Sequence, residues 1–123
     1  MVDDTLAVIP AWNEATDIAA VIKRVRAQGL DVLVVDDHSS DGTAKLPRPA
    51  GARVIRLAFH AGSWAAMQTG IRLALKEGYR FVLTIDGDGQ HHPEHSARLM
   101  AAYRASQTPV NVVIGACGAR ANR

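Results

Sequence analysis

Apolar and polar positions follow two periods that alternate along the chain. Short, nearly continuous apolar runs have the length and the β-branched content of buried strands. They cover residues 6–9, 32–35, 53–57, 81–85 and 110–114. Pro10 directly follows the first run, and we expect it to end that strand.

The segments between the apolar runs have helical spacing. Residues 14–28 carry Ile18, Val21, Ile22 and Val25 on one helical face, and Gly29 follows. Residues 62–77 form the longest predicted helix. Its expected apolar face consists of Trp64, Met67, Ile71, Ala74 and Leu75.

Two further helical segments are predicted. Residues 39–43 are rich in turn and cap residues, which leaves room for only a short helix before Pro47 and Pro49. A last helix begins near Pro93. It carries Leu99, Met100 and Tyr103.

Strands that alternate with helices predict an α/β fold, a three-layer sandwich with a mostly parallel, Rossmann-like sheet. Ligands of such folds lie beyond the carboxyl ends of the strands. Polar clusters follow the first, second and fourth strands, at residues 10–14, 36–41 and 86–90. We therefore expect the three clusters to meet at one edge of the sheet.

Composition narrows the class of protein. The chain has 123 residues, 48% hydrophobic and 21% charged, which is typical of one globular domain. A net charge of +2 is too small to indicate nucleic-acid binding. The single cysteine, Cys117, excludes an internal disulfide, and no apolar run approaches the length of a membrane span. We expect a cytoplasmic protein.

The fourth apolar run ends at two carboxylates, Asp86 and Asp88, each followed by glycine. Carboxylate oxygens suit Mg²⁺ or Mn²⁺, and Mg²⁺ is typically bound by one or two carboxylates together with substrate phosphates. The pattern indicates a metal–diphosphate site. Its alternative is an acidic turn, because the same residue types favour turns.

Three motifs together resemble the donor-binding half of a family 2 glycosyltransferase with the GT-A fold. VIPAWNE at residues 8–14 is similar to the family's VIPAYNE, and VVDDHSSDGT at 34–43 to its VVDDGSxDGT. DGDGQHHPE at 86–94 is similar to DADGQHxPE. The resemblance covers roughly the first 95 residues, and it is strongest to the dolichyl- or polyprenyl-phosphate sugar synthases.

The resemblance implies roles for these residues. It implies that a UDP- or GDP-type sugar is bound by Pro10, Trp12, Glu14, Val35, Asp37, Asp86, Gly87 and Asp88. Asp37 would accept hydrogen bonds from the base. Asp86, Asp88 and Gln90 would hold Mg²⁺ or Mn²⁺. The implied reaction is sugar transfer to an acceptor such as a polyprenyl phosphate, at the inner face of a membrane.

Several alternatives stay open at this point. Asp36 is expected to cap the turn that follows its strand, Trp12 is either a pocket residue or a core aromatic, and His60 is expected in a solvated loop. We expect residues 1–123 to form a single nucleotide-sugar-binding domain without the acceptor-binding part of the related enzymes. A non-catalytic nucleotide-binding module is therefore an alternative function, as is a response-regulator receiver domain with Asp86 as its phosphoacceptor.

Overall fold

The computed structural model describes residues 4–87, which form one parallel sheet with helices on both faces. The strands are β1 (Thr5–Ala11), β2 (Asp31–Asp36), β3 (Arg53–Arg56) and β4 (Phe81–Thr84). The helices are α1 (Ile18–Arg26), α2 (Pro47–Ala50) and α3 (Ser63–Lys76), and a 3₁₀ turn covers Thr43–Lys45. The predicted fifth strand and the helix after Pro93 lie outside the described residues.

The four strands lie in the order β3-β2-β1-β4, and every neighbouring pair is parallel. This is the strand order of one half of a Rossmann sheet and its first neighbour, so the predicted α/β fold is confirmed. The strand order reverses between β1 and β4, which is where such sheets bind their ligands. Within residues 4–87, no helix is both long and apolar enough to cross a bilayer.

Alternate residues of the two central strands supply two separate cores. Ala7 and Ile9 of β1 pack with the α1 face that the sequence predicts, and Leu6 and Val8 pack under α3. The predicted α1 face is confirmed: Ile18, Val21, Ile22 and Val25 are all buried. Because both faces of β1 and β2 are covered, these strands read as continuous apolar runs rather than as alternating ones.

The sequence predicts that Pro10 ends β1. In the structure, Pro10 instead lies within β1, opposite Val35. The Ala11 carbonyl accepts from the Asp37 amide that follows β2, whereas the Val8 carbonyl accepts from the Ile85 amide that follows β4. Backbone groups alternate sides along a strand, so Pro10 faces the β4 side at the point where that ladder ends. A proline there removes no ladder hydrogen bond from the β2 side.

Pro47 and Pro49 also lie inside an element, the short helix α2, where the sequence predicts a helix that ends before them. Pro47 is the first residue of that helix. Amides of a first helical turn have no intrahelical acceptor, so proline costs little there.

The buried face of α3 differs from the predicted one. Trp64 and Leu75 are 68% and 71% exposed. Ala74 is buried as predicted, but the other buried residues of the helix are Ala66 and Gly70. Residues spaced by four share one helical face. A Cβ on Gly70 would lie 2.4 Å from Val8 Cγ1, so α3 packs on β1 through backbone rather than through large side chains.

We expect Gly70→Ala to destabilise the fold by about 1–2 kcal/mol, because overpacking by one methyl outweighs the better helix propensity of alanine. The Gly70→Ala and Val8→Ala changes should be strongly non-additive, since the smaller residue at position 8 makes room for the methyl. Urea denaturation of the two single variants and the double variant measures this coupling. Gln68→Ala, on the exposed side of α3, is the control. Additive free energies for the pair would contradict the packing described.

Candidate functional site

A cleft of about 400 Å³ opens at the carboxyl edge of the sheet. It is lined by Pro10, Ala11, Trp12, Glu14, Asp37, His60, Gly62, Ser63, Asp86 and Gly87. These residues lie at the carboxyl end of β1 or follow β1, β2, β3 and β4, so the predicted meeting of the three polar clusters is confirmed. Two of the predicted site residues, Asp88 and Gln90, lie outside the described residues.

Three consecutive amides after β1 are held by side chains of the β2 loop (residues 37–43). The Asn13 amide donates to Ser39 Oγ at 2.8 Å, the Glu14 amide to Thr43 Oγ1 at 3.0 Å and the Ala15 amide to Asp41 Oδ2 at 3.1 Å. The helix α1 begins at Ile18 and not at residue 14, but the Ile18 amide already donates to the Glu14 carbonyl at 2.9 Å, so residues 14–17 form a turn that leads into α1. The three bonds to the β2 loop fix the segment that carries Trp12 and Glu14 into the cleft.

The amide of Ser40 returns the interaction by donating to Asn13 Oδ1 at 2.9 Å. Asn13 has a φ of +54°, and asparagine tolerates this left-handed conformation better than most residues do. The serine, threonine, aspartate and asparagine residues of the two motifs are therefore the donors and acceptors that join two loops.

Asp36 caps the turn after β2, as the sequence predicts. Its carboxylate is fully buried and accepts from the Ser39 amide at 3.0 Å and from the Ser39 hydroxyl at 2.5 Å. Arg56 Nε lies 3.3 Å from Asp36 Oδ2, and the same guanidinium donates to the Ser39 carbonyl at 2.9 Å. Asp36 thus orders the β2 loop through its buried hydrogen bonds to Ser39, and it does not line the cleft.

Asp37 lies in the wall of the cleft, and its carboxylate holds the loop that leads into α3. One oxygen accepts from the Ala61 amide at 2.7 Å and the other from the Gly62 amide at 2.8 Å. A carboxylate oxygen has two acceptor positions. The oxygen that accepts from Ala61 retains one of them, whereas the oxygen that accepts from Gly62 also faces His60 Nδ1. The structure therefore gives Asp37 an organising role that the sequence did not indicate.

His60 is the cleft residue that sequence reasoning missed. Its side chain is 53% exposed, yet Nδ1 lies 2.9 Å from Asp37 Oδ2 and 3.2 Å from the Asp37 carbonyl. His60 lies outside the three polar clusters of the sequence, so no local pattern marks it as a cleft residue.

Trp12 contacts His60 and belongs to the cleft, so the alternative that it is a core aromatic is wrong. The two ring centroids lie 4.6 Å apart with the planes tilted by 38°. The indole is 49% exposed, which leaves a broad apolar surface facing the cleft. Such a surface is suited to stacking against a flat ring.

Asp86 and Gly87 form the opposite side of the cleft, at the end of β4. The Asp86 side chain is exposed there, and Gly87 is buried. A Cβ on Gly87 would lie 3.2 Å from Ile18 Cδ1 and 3.3 Å from Ile9 Cγ2, so the backbone at this point packs closely on the α1 core. This close packing fixes the position of the backbone next to Asp86.

A carboxylate at this edge fits a hard divalent cation, because Mg²⁺ and Mn²⁺ prefer oxygen ligands. In the described part of the chain, no three His, Cys, Asp or Glu side chains form a metal cluster, and Asp86 is the only one of the three predicted ligands it contains. The metal site stays a prediction.

Val35 is the one predicted site residue that the structure places elsewhere. Its side chain is fully buried in the core beneath α3, together with Leu33. It does not line the cleft. Side chains of a strand point alternately to the two faces of the sheet, and Val35 is on the same side as Leu33, the side that α3 covers.

The strand order and the cleft at the carboxyl edge define an α/β protein with a Rossmann-like sheet. The sequence model of glycosyl transferase family 2 matches residues 6–121. The chain belongs to glycosyl transferase family 2.

Two relatives and one solved structure are representative of the similarity. The chain is 35% identical over 109 residues to polyprenol monophosphomannose synthase of Mycolicibacterium smegmatis, covering 82% of this chain and 41% of that protein. It is 33% identical over 117 residues to undecaprenyl-phosphate mannosyltransferase of Micrococcus luteus, covering 89% and 46%. The chain thus spans less than half the length of each.

The solved structure is glucosyl-3-phosphoglycerate synthase from Mycobacterium tuberculosis in complex with Mn²⁺ and uridine-diphosphate-glucose. It is similar with a TM-score of 0.70 and 26% identity, over 84% of this chain and 40% of that one. The likeness confirms the GT-A type of fold that the sequence resemblance implied.

The receiver-domain alternative is wrong. Receivers have the strand order 2-1-3-4-5, in which the first strand lies next to the third. Here β1 lies between β2 and β4, and the acidic pair follows β2. Both acidic side chains, Asp36 and Asp37, are buried and hydrogen-bonded.

The loop junction predicts a pH-dependent contribution of Asp41 to stability. The Thr43 hydroxyl, which donates to this carboxylate, holds the pKa of Asp41 below its usual value of 3.8, and the Ala15 and Thr43 amides lower it further. A pKa that is lower in the folded state gives stability that is present above the unfolded value and is lost as pH falls through the folded one.

We therefore expect Asp41→Asn to lower the thermal midpoint at pH 7, and the difference from wild type to shrink as pH falls below about 4. Thermal melts at pH 7, 5, 4 and 3 measure this. Asp17→Asn is the control, because Asp17 makes no side-chain cap bond to α1. A difference that stays constant with pH would contradict the role of the Asp41 charge.

Proposed function

We propose that this chain binds a nucleotide-diphosphate sugar with a divalent metal, and that the protein transfers the sugar to a lipid-phosphate acceptor. The observation that carries the proposal is the cleft itself, in which Trp12, Glu14, Asp37 and Asp86 meet from three different strand ends. Membership of family 2 supports transferase chemistry.

The strand order suggests how the donor lies. Asp37 and His60 follow β2 and β3, Trp12 follows the central β1, and Asp86 follows β4 on the other side. Neighbouring strands are about 4.8 Å apart, so the cleft runs across the strand ends over roughly three such spacings. We place the nucleoside on the Asp37 side and the diphosphate on the Asp86 side.

Asp86, with Asp88 and Gln90, would hold the metal. When bound there, a divalent cation neutralises the diphosphate that leaves in the reaction. The uridine-diphosphate-glucose and Mn²⁺ in the M. tuberculosis structure support this donor and metal class.

The chain's own residues then bind and orient the donor. Trp12 offers its exposed face to the flat nucleobase. The amides of residues 13–15 already donate to side chains of the β2 loop, so they do not bind the ligand. In the transfer, an acceptor oxygen forms a bond to the anomeric carbon while the bond from that carbon to the diphosphate oxygen breaks. A fixed donor lowers the barrier, because positioning alone can supply several kcal/mol.

The acceptor class is taken from the relatives. One of them is named as a polyprenol monophosphomannose synthase and another as an undecaprenyl-phosphate mannosyltransferase. We extend a polyprenyl phosphate acceptor to this protein, and we propose that it acts at the inner face of a membrane.

Calorimetric titration with UDP-, GDP- and dTDP-sugars, each with Mn²⁺ and with chelator, tests the donor and metal site. We expect binding that depends on Mn²⁺ and that Asp88→Asn weakens at least tenfold, because loss of one charged ligand of a hard cation removes most of its affinity. The Asp17→Asn variant, with its change outside the cleft, should bind like wild type.

Equal affinity in Mn²⁺ and in chelator would contradict the metal role while leaving nucleotide binding in place. Absence of binding to every nucleotide sugar would contradict the proposed function as a whole.

A further inference from the structure

The contacts of His60 determine which of its two ring nitrogens carries the proton when the ring is neutral. Its Nδ1 faces two oxygens of Asp37, the carboxylate at 2.9 Å and the main-chain carbonyl at 3.2 Å. Neither oxygen carries a proton to donate, so Nδ1 must carry the proton of the ring. In the neutral imidazole the other nitrogen, Nε2, is then a hydrogen-bond acceptor.

The orientation of this acceptor is fixed from two sides. Asp37 holds the ring at Nδ1, and its own carboxylate is held by the Ala61 and Gly62 amides. The Trp12 indole lies against the ring at a centroid distance of 4.6 Å. No described residue bonds Nε2, and the side chain is half exposed where it lines the cleft.

From this geometry we infer that His60 selects the nucleobase, by accepting the ring N–H of the base at Nε2. The inference rests on the proposed function, because it places the nucleoside at the Asp37 side of the cleft. Asp37 is then a positioning residue, which fixes the tautomer and the plane of His60.

The acceptor has a definite chemical preference. Uracil and guanine carry a proton on the ring nitrogen at their recognition edge, whereas cytosine and adenine have a lone pair at the corresponding nitrogen. Two lone pairs repel, so a neutral His60 favours uracil or guanine over cytosine or adenine. UDP and CDP form the sharpest test pair, since they differ only at the edge of one ring.

We expect wild-type protein, titrated at pH 8 with Mn²⁺, to bind UDP more tightly than CDP. His60→Phe keeps a flat ring against Trp12 but has no acceptor. It should weaken UDP binding by about two- to tenfold, leave CDP binding no weaker because the lone-pair repulsion is removed, and thus bring the affinity ratio toward one. His60→Gln carries an amide oxygen at a similar reach and should keep a preference for UDP.

His38→Asn is the matched control, because His38 is exposed, bonds the Leu57 carbonyl and does not line the cleft. Thermal melts establish that each variant is folded. A second measurement needs no variant: the ¹⁵N resonance of His60 Nε2 should shift on addition of UDP and far less on addition of CDP.

An unchanged UDP-to-CDP ratio in folded His60→Phe, or equal ¹⁵N shifts with the two nucleotides, overturns the role of His60 and leaves the proposed function standing. A wild-type preference for CDP also overturns it. If wild-type protein binds neither nucleotide, both this inference and the proposed donor site fail.

Discussion

The cleft depends on one set of hydrogen bonds. In these bonds, side-chain oxygens of the β2 loop accept from three successive backbone amides that follow β1. Ser39, Thr43 and Asp41 supply those oxygens, and Asp36 orders Ser39 from within the core. Backbone amides that leave a strand without a partner are costly to bury. Here they are satisfied by another loop, and Trp12 and Glu14 are held at the cleft as a consequence.

This arrangement separates two kinds of residue within one motif. Asp36, Ser39, Asp41 and Thr43 build the loop, whereas Asp37 faces the cleft and organises the entry to α3. The two adjacent aspartates therefore do different work. Neighbouring residues of a strand point to opposite sides, so two successive acids at a strand end meet different surroundings.

Much of the fold and of the cleft was predictable from the sequence, because both depend on periodicity. Continuous apolar runs that alternate with helical spacing indicate a parallel sheet, and parallel strands bring their carboxyl ends to one edge. Pro10, Trp12, Glu14, Asp37 and Asp86 belong to clusters at three such strand ends, and all five line the cleft.

The sequence predictions fail where close packing or the hydrogen-bond geometry of the sheet overrides the local sequence pattern. The buried face of α3 was predicted from its largest apolar residues, but β1 lies too close for anything larger than Gly70 opposite Val8. Pro10 was expected to end a strand, yet it falls on the side of β1 where no bond is lost. No sequence pattern marks His60, because its place in the cleft depends on contacts with Asp37 and Trp12, which are distant in sequence.

The central claim is that the carboxyl edge of the sheet is the donor site, and paramagnetic broadening of backbone amide resonances by Mn²⁺ in the presence of UDP tests it most directly. The account predicts that broadening is strongest for Gly87 and extends to Trp12. Asp31 and Arg53, at the amino ends of β2 and β3, should keep sharp resonances. Broadening centred on those amino ends, or spread evenly over the sheet, would contradict it.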